Sequence, residues 1–384
     1  MASDGPPAST PLTDELLERI RLDGPLRFDL FMDAVLYDPR RGFYATGGRA
    51  GARAGDFLTS PEVGPLFGAV VARAVDRWWI EAGRPEKFTV VEPGAGPGTL
   101  AAAVRLAAPE CGDRLEWVMV ERTAAQRARH VDRLGASSAL DSPRPLAGVH
   151  LISVSALPTG FAADVVLANE LLDNLPTRLV ERTSTGWSEV WVAAGDTGLI
   201  EDLRPLGRED PEVLVLDRVA PDVRSGQRVP LEDEARSWLR WAFGVVGVSG
   251  RVVVIDYADT TASMAHRGQG EWMRTYAVHG RGTGPLEDCG TQDLTCDVAS
   301  DQLADVRPPD VDRSQADFLI SHGMDELVEE GRQLWAERAH IGDLAAVRAR
   351  SRVREAEALC DPSGLGAHRV LEWGPTSPAN PVAG

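Results

Sequence analysis

The chain has 384 residues, 43% of them hydrophobic, and is long enough for one large α/β domain with additions or for two ordinary domains. Its formal net charge is -18, and Lys87 is the one lysine. Because nonspecific affinity for nucleic acid requires a basic surface, we expect no nucleic-acid partner. The four cysteines form no C-x-x-C pair and have no histidine cluster beside them. This pattern favours a reduced, cytoplasmic protein with no bound metal.

The first part of the chain has a helical pattern, from residue 12 to about residue 80. Apolar residues recur three and four positions apart in 15–38, and the segment 64–83 is typical of an amphipathic helix that ends at Gly83. A glycine-rich loop, 40–63, separates them. About ten residues at each end of the chain are expected to be disordered. Neither a signal peptide nor the roughly 18 apolar residues of a membrane helix is found, so we expect no membrane insertion.

Five short apolar strands alternate with helical segments in the rest of the chain. We predict them at 87–92, 115–121, 149–157, 163–170 and 250–258. Continuous apolar strands joined by helices indicate a parallel sheet covered on both faces, which is a doubly wound α/β fold. Between the fourth and fifth strands, 177–215 alternates like antiparallel hairpins, and a helix is predicted at about 231–244. A long glycine-rich loop is expected from the fifth strand to about residue 310.

Three glycines follow the first predicted strand, in VVEPGAGPGTL (90–100). Gly94, Gly96 and Gly98 have the spacing G-x-G-x-G, whereas the dinucleotide fingerprint requires G-x-G-x-x-G, and no P-loop lysine follows. Glu92 suits a ligand with an ammonium group better than a pyrophosphate, and Glu121 ends the second strand, where a carboxylate accepts hydrogen bonds from ribose hydroxyls. These residues favour a nucleoside site without phosphates, such as one for S-adenosylmethionine. The alternative is a purely structural turn.

A polar cluster follows the fourth strand, in ANELLDNLP (168–176). Asn169 and Glu170 emerge at the ligand-binding edge of the sheet, and a helical turn would bring Asp173 beside Glu170. The alternative is that Asn169 caps a helix and the two carboxylates favour its N-terminus.

A helix-start pattern lies upstream, in GDFLTSPEVGPLFG (55–68). Thr59 with Glu62 forms a capping box, and Pro61 suits the first turn of a helix. On local geometry alone, this segment is a helix start.

Taken in chain order, these three stretches (55–68, 90–100 and 168–176) resemble motifs of the MidA family of class I S-adenosylmethionine-dependent methyltransferases. That family includes the mitochondrial complex I assembly factor that methylates an arginine in a protein subunit. GRVVVIDYA, GPLEDCGTQDLTCDVA and ADFLISHGM agree, and the resemblance runs from about residue 20 to residue 330. The segment DLTCDVAS (293–300) departs from the family, because Asp297 stands at a histidine position and Ala299 and Ser300 stand at acidic and aromatic positions.

The resemblance implies a Rossmann-like class I methyltransferase fold with an N-terminal helical region and an inserted hairpin and loop region. It divides the chain into a helical cap with a substrate or cofactor loop (1–84), a methyltransferase domain (85–375) and a disordered tail (376–384). Insertions are expected at about 177–245 and 258–310.

The implied reaction is methyl transfer from S-adenosylmethionine to a protein side chain such as arginine, with a respiratory-complex subunit as one partner. A guanidinium arrives charged, so carboxylates must hold it and aid proton loss. We assign this catalysis to Glu170, Asp173 and Asn169. The residues expected to bind the cofactor are Glu92, Gly94, Gly96, Gly98, Glu121, Asn169, Thr59, Pro61 and Glu62.

Two alternatives stay open: an assembly or binding factor that keeps the fold without activity, and a small-molecule methyltransferase. A nicotinamide dehydrogenase is opposed by the glycine spacing.

Overall fold

The structure is a computed structural model that describes residues 10–46, 59–142, 145, 147–277 and 280–376. The predicted tails, apart from residue 10 and residues 375–376, lie outside the described residues, as does the central part of the glycine-rich loop, 47–58. The chain divides into two units built from interleaved segments. Unit 1 comprises Met1–Phe57, Leu172–Trp238 and Ala258–Arg307, and unit 2 comprises Leu58–Leu171, Leu239–Tyr257 and Pro308–Gly384. The predicted domain boundary at residue 84 stays a prediction.

A seven-stranded sheet forms the centre of unit 2. Its strands, in chain order, are β1 Phe88–Pro93, β2 Leu115–Val120, β3 His150–Val154, β4 Val165–Asn169, β5 Arg251–Asp256, β6 Val311–Ser314 and β7 Arg369–Trp373. Their spatial order is β3-β2-β1-β4-β5-β7-β6. Strands β1 to β5 are parallel, and β7 runs antiparallel to both β5 and β6. The predicted doubly wound parallel sheet is confirmed, and its strand order reverses between β1 and β4.

The apolar composition of these strands explains why helices cover them. Every residue of β1 is buried, so neither face of this strand meets water. Buried aromatic side chains from the sheet and the helices, including Phe67, Phe88, Trp117 and Phe318, share one core. The helices of unit 2 are Ser60–Val63, Pro65–Glu81, Thr99–Ala107, Ala124–Leu134, Gln315–Ser321, Met324–Arg338 and Leu344–Leu359, together with the 3-10 helix Leu365–Ala367.

Unit 1 contains a five-stranded antiparallel sheet. It is formed by Leu26–Arg27, Arg178–Thr183, Gly186–Ala194, Leu199–Pro205 and Arg228–Leu231. The antiparallel hairpins predicted in 177–215 are confirmed by the pairing of its three consecutive strands. The predicted helix at about 231–244 is Asp233–Val246, which continues from unit 1 into unit 2.

Helices and a second apolar core complete unit 1. The remaining helices are Pro11–Asp23, Phe28–Tyr37, Pro211–Val219, Thr261–Ala265, Gln269–Trp272 and Ser300–Ala304, together with the 3-10 helix Leu172–Asn174. Phe28, Phe31, Met32 and Trp272 are buried together in this core.

The prediction of a long loop after β5 is wrong. Met273–Ala277, Gly280–Arg281 and Asp293–Cys296 form a three-stranded antiparallel sheet, and Ala258–Asp259 pairs in parallel with Val298–Ala299. These strands are two to five residues long, which is too short for a periodic pattern to reveal. Their partners, rather than their local sequence, define them.

Candidate functional site

The glycine turn between β1 and the helix Thr99–Ala107 has two packing glycines and one that faces open space. All three have positive φ angles. A Cβ atom on Gly94 would lie 2.5 Å from Leu171 Cδ1, and one on Gly98 would lie 2.7 Å from Leu134 Cδ1. The nearest atom to a Cβ on Gly96 is the Gly94 carbonyl oxygen, at 4.0 Å. Gly96 therefore leaves a cradle that a side chain would fill.

Both backbone polar groups of Gly96 are held by side chains. Its N–H donates to Glu121 Oε2 at 3.0 Å, and its carbonyl oxygen lies 2.7 Å from His130 Nε2. Glu121 Oε1 also accepts a hydrogen bond from the Thr123 N–H at 2.7 Å. Glu121 is thus brought to the glycine turn as the sequence predicts. His130 was missed, because no local motif marks it on the helix that follows β2.

Glu92 is buried beneath the turn. The Trp117 indole Nε1–H donates to Glu92 Oε2 at 2.5 Å. Burial raises the pKa of Glu92 to about 8, the Trp117 hydrogen bond opposes that rise, and the nearby charge of Glu121 adds to it. A carboxyl group with this pKa is mostly protonated at neutral pH. Trp117, like His130, was missed by sequence reasoning.

At the end of β4, Asn169 and Glu170 lie at the same edge of the sheet as the glycine turn. Asn169 Oδ1 is buried and has no hydrogen-bond partner among the residues that the structure describes, so it is an available acceptor for a ligand donor. Asn169 Nδ2 donates to Glu170 Oε1 at 3.3 Å. Glu170 has a φ of 50°, an unusual left-handed conformation for this residue type, and its N–H donates to the Ile255 carbonyl oxygen.

The segment that begins at Thr59 reaches this edge through a backbone group. The Ser60 N–H donates to Glu170 Oε1 at 2.8 Å, and the Ser60 hydroxyl donates to Gln315 Oε1 at 2.9 Å. The predicted helix start is confirmed, because the Thr59 N–H donates to Glu62 Oε2 at 3.4 Å at the start of Ser60–Val63. Binding of cofactor by Thr59, Pro61 and Glu62 stays a prediction.

Asp173 lies in the 3-10 helix Leu172–Asn174 of unit 1. The helical turn predicted after Asn169 is this 3-10 helix, and it does not include Glu170, because the left-handed φ of Glu170 cannot continue a right-handed helix. Asp173 is buried, with a relative exposure of 3%. Its catalytic role stays a prediction.

A buried polar network fixes the residue after Asp173. The Tyr44 hydroxyl donates to Asn174 Oδ1 at 2.9 Å, and Asn174 Nδ2 donates to Asp293 Oδ1 at 3.1 Å. Burial raises the pKa of Asp293 to about 6, and hydrogen bonds from Tyr44, the Leu294 N–H and Asn174 limit that rise. Asp293 begins the segment DLTCDVAS, but the sequence alone does not connect it to this network.

Asp297, the residue at the family's histidine position, has cationic neighbours in unit 1. The Arg274 guanidinium donates to Asp297 Oδ1, and Arg267 Nη2 lies 3.4 Å from Asp297 Oδ2. These ion pairs compensate the burial of the carboxylate. The departure from the family pattern is therefore accommodated within this unit.

The buried proton of Glu92 predicts a pH dependence of stability. Because the folded-state pKa lies above the ordinary value of 4.5, the folded protein binds more protons than the unfolded chain between about pH 4.5 and about pH 8. The contribution of Glu92 to the free energy of unfolding should therefore fall as pH rises through that range. Chemical denaturation at several pH values should show a smaller fall for Glu92→Gln.

Trp117→Phe provides a matched variant for that measurement, because it removes a hydrogen bond that lowers the pKa of Glu92. Without this hydrogen bond the pKa of Glu92 should be higher still, so the free energy of unfolding should keep falling to a higher pH than in wild type. Equal slopes for wild type and Glu92→Gln would contradict the assignment.

Comparison with known proteins connects this geometry to a reaction. The chain is 26% identical to the mitochondrial protein arginine methyltransferase NDUFAF7 of Mus musculus over 348 residues, which cover 82% of this chain and 75% of that protein. It is 29% identical to the mitochondrial homologue of Drosophila melanogaster over 308 residues, covering 75% and 68% of the two chains. The cytoplasmic location predicted from the sequence is wrong, because these relatives are mitochondrial by name. Composition and cysteine spacing do not specify an organelle.

Two solved structures from Burkholderia thailandensis share the fold over almost the whole chain. One is described as a "likely methyl transferase" bound to S-adenosyl-homocysteine; it has a TM-score of 0.79 and 26% identity, and the match covers 99% of this chain and 96% of that one. The other, a native crystal structure, has a TM-score of 0.78 and 27% identity with the same coverage.

The residues that the structure describes were searched for membrane-spanning helices and for metal sites. There, no helix combines the length and the apolar character needed to cross a lipid bilayer. The same residues contain no group of three or more histidine, cysteine, aspartate and glutamate side chains placed to hold a metal ion.

A family model described as "Putative S-adenosyl-L-methionine-dependent methyltransferase" matches residues 70–310. That range is more than half of the 384 residues and contains the glycine turn, Glu121 and the Asn169–Glu170 pair. The chain belongs to this family of S-adenosylmethionine-dependent methyltransferases.

Proposed function

We propose that this methyltransferase modifies an arginine side chain of a protein, with the cofactor held at the glycine turn of unit 2. The names of the relatives support an arginine acceptor. The observation that carries the proposal is the placement of Glu170. This residue directly precedes Leu171 in the chain. Leu171 packs against Gly94, so the backbone of Glu170 lies near the proposed cofactor loop, and the Ser60 N–H holds its carboxylate.

The residues around the turn fit S-adenosylmethionine. The open face of Gly96 leaves room for the ligand, and the buried Asn169 Oδ1 needs a donor such as an ammonium group. Glu92 would face the positive charge of the amino acid part, and that charge would favour release of the Glu92 proton. Glu121 would accept from the ribose hydroxyls, since each carboxylate oxygen already bound to a backbone N–H keeps a further lone pair. Bound S-adenosylmethionine supplies an electrophilic methyl group.

Glu170 has the role of holding the acceptor. A guanidinium is charged at any physiological pH, and a carboxylate binds it through charge-assisted hydrogen bonds. The Ser60 N–H fixes Glu170 Oε1, which orients the carboxylate. As the acceptor nitrogen gains a carbon substituent it must lose a proton, and Glu170 would accept that proton.

Asp173 is the second carboxylate of the proposal. It is assigned from its place three residues after Glu170 in the chain and from its chemistry, and Asn169 is assigned to orient the acceptor or the cofactor amino group. The proposed partner is a protein with an accessible arginine, such as a respiratory-complex subunit. The net charge of -18 favours attraction of a basic segment.

Gly96→Ala tests the cofactor site. The added methyl group would occupy the cradle, so we expect calorimetry to show an affinity for S-adenosylmethionine that is lower by about tenfold, or about 1.4 kcal/mol. Gly83→Ala is the matched control, because Gly83 also has a positive φ and open space around its Cβ position but precedes β1, whereas the glycine turn follows that strand. Glu92→Ala and Glu121→Ala should also weaken binding. Undiminished affinity in Gly96→Ala, Glu92→Ala and Glu121→Ala would contradict the assignment.

Glu170→Gln and Asp173→Asn test the chemistry. Purified protein is incubated with methyl-labelled cofactor and a lysate of the cells from which the protein comes. The labelled products are identified by mass spectrometry. Both variants should bind cofactor as wild type does and lose about a hundredfold or more in transfer rate, because each loses a carboxylate that positions the acceptor or accepts its proton. Glu116→Gln is the control, since Glu116 is a buried carboxyl group near the amino end of β2.

Label on an arginine of a protein is the expected result. Label on a small molecule, or no transfer by wild type despite cofactor binding, would overturn the arginine proposal. Full activity in both carboxylate variants would remove their proposed roles.

A further inference from the structure

A histidine that is not among the predicted site residues contacts the glycine turn. His130, on the helix Ala124–Leu134, is fully buried. Its Nε2 lies 2.7 Å from the Gly96 carbonyl oxygen, and its Nδ1 lies 2.8 Å from Ser153 Oγ near the end of β3. The ring also lines the turn at Gly98, where a Cβ atom would lie 3.1 Å from His130 Cδ2. One imidazole thus contacts two of the three glycines.

The hydrogen-bond partners determine the tautomer of this ring. A carbonyl oxygen can only accept, so Nε2 must carry the hydrogen that is donated to Gly96. Burial lowers the pKa of His130 and favours the neutral ring. In the neutral ring, Nδ1 is then an acceptor, and the Ser153 hydroxyl donates to it. The orientation of the imidazole is therefore set on both sides.

We propose that His130 is a positioning residue for the cofactor: with Glu121, it clamps the Gly96 peptide groups so that the open side of the turn is preorganised for S-adenosylmethionine. Glu121 holds the Gly96 N–H and His130 holds the Gly96 carbonyl oxygen. Of the three glycines, Gly96 has the most open surroundings, because its chain neighbours aside, the nearest atom to its Cβ position is 4.0 Å away. A turn ordered before binding loses less conformational entropy when the ligand arrives.

Three substitutions of His130 separate positioning from general stability. Gln places an amide nitrogen near the position of Nε2 and can still donate to Gly96, whereas Asn reaches only the Ser153 side and Leu makes neither hydrogen bond. We expect His130→Gln to bind S-adenosylmethionine within about threefold of wild type. His130→Asn and His130→Leu should each bind about tenfold more weakly.

Calorimetry with S-adenosylmethionine and with S-adenosylhomocysteine measures these affinities, and thermal unfolding measures stability in the same samples. His150→Leu is the matched control, since His150 is a buried histidine at the amino end of β3 that pairs with Ser142 Oγ. It should lower the unfolding temperature and leave both affinities unchanged.

The nitrogen-15 spectrum of the histidine side chains tests the hydrogen bond on which the clamp depends, and the comparison of cofactor affinity with unfolding temperature separates positioning from stability. The Nε2–H tautomer at neutral pH supports the clamp, and the Nδ1–H tautomer overturns it. Unchanged cofactor affinity in His130→Leu, or equal losses in the Gln and Asn variants, would also overturn it. These measurements need no acceptor, so their outcome is independent of whether arginine is the substrate.

Discussion

The reversal of strand order between β1 and β4 is the constraint on which the site depends. At such a reversal, the connections that follow two neighbouring parallel strands run in opposite directions. A crevice then forms beyond the carboxyl ends of the two strands. In this chain, β1 leads into the glycine turn and β4 leads into Asn169 and Glu170. The register places Asn169 opposite Ile255 of β5, and the next N–H, that of Glu170, donates to the Ile255 carbonyl oxygen. The proposed cofactor loop and the proposed acceptor carboxylate are therefore fixed by one sheet edge.

Much of this arrangement was predictable because it is local. The five parallel strands of the large sheet, β1 to β5, are almost wholly buried and appear in the sequence as mostly apolar runs, and the Thr59–Glu62 helix start follows from four consecutive residues. Strands β6 and β7 are more polar and were not predicted. The contacts that complete the site are not local. Trp117 and Glu92 are 25 residues apart, and His130 and Gly96 are 34 residues apart. Each side chain alone is indistinguishable from an ordinary core residue, and it gains a role only when the sheet is assembled.

The segment after β5 shows the opposite limit. Its glycine content and weak periodicity indicate a loop, but short strands there pair with one another. Within it, Asp293 is joined by hydrogen bonds to Tyr44 and Asn174, and Asp297 is paired with Arg274 and Arg267. Buried carboxylates require partners of this kind, because desolvation of an unpaired charge costs several kcal/mol or more. Such networks depend on residues distant in sequence, so a single sequence does not reveal them.

The packing of Leu171 against Gly94 links two sites that are usually considered separately. Leu171 packs against Gly94 of the glycine turn, and its covalent bond to Glu170 also ties it to the proposed acceptor carboxylate. A change at position 171 would shift both substrates together. Under the roles proposed for the glycine turn and Glu170, a substitution at position 171 that changes the choice of acceptor would also change the affinity for the methyl donor.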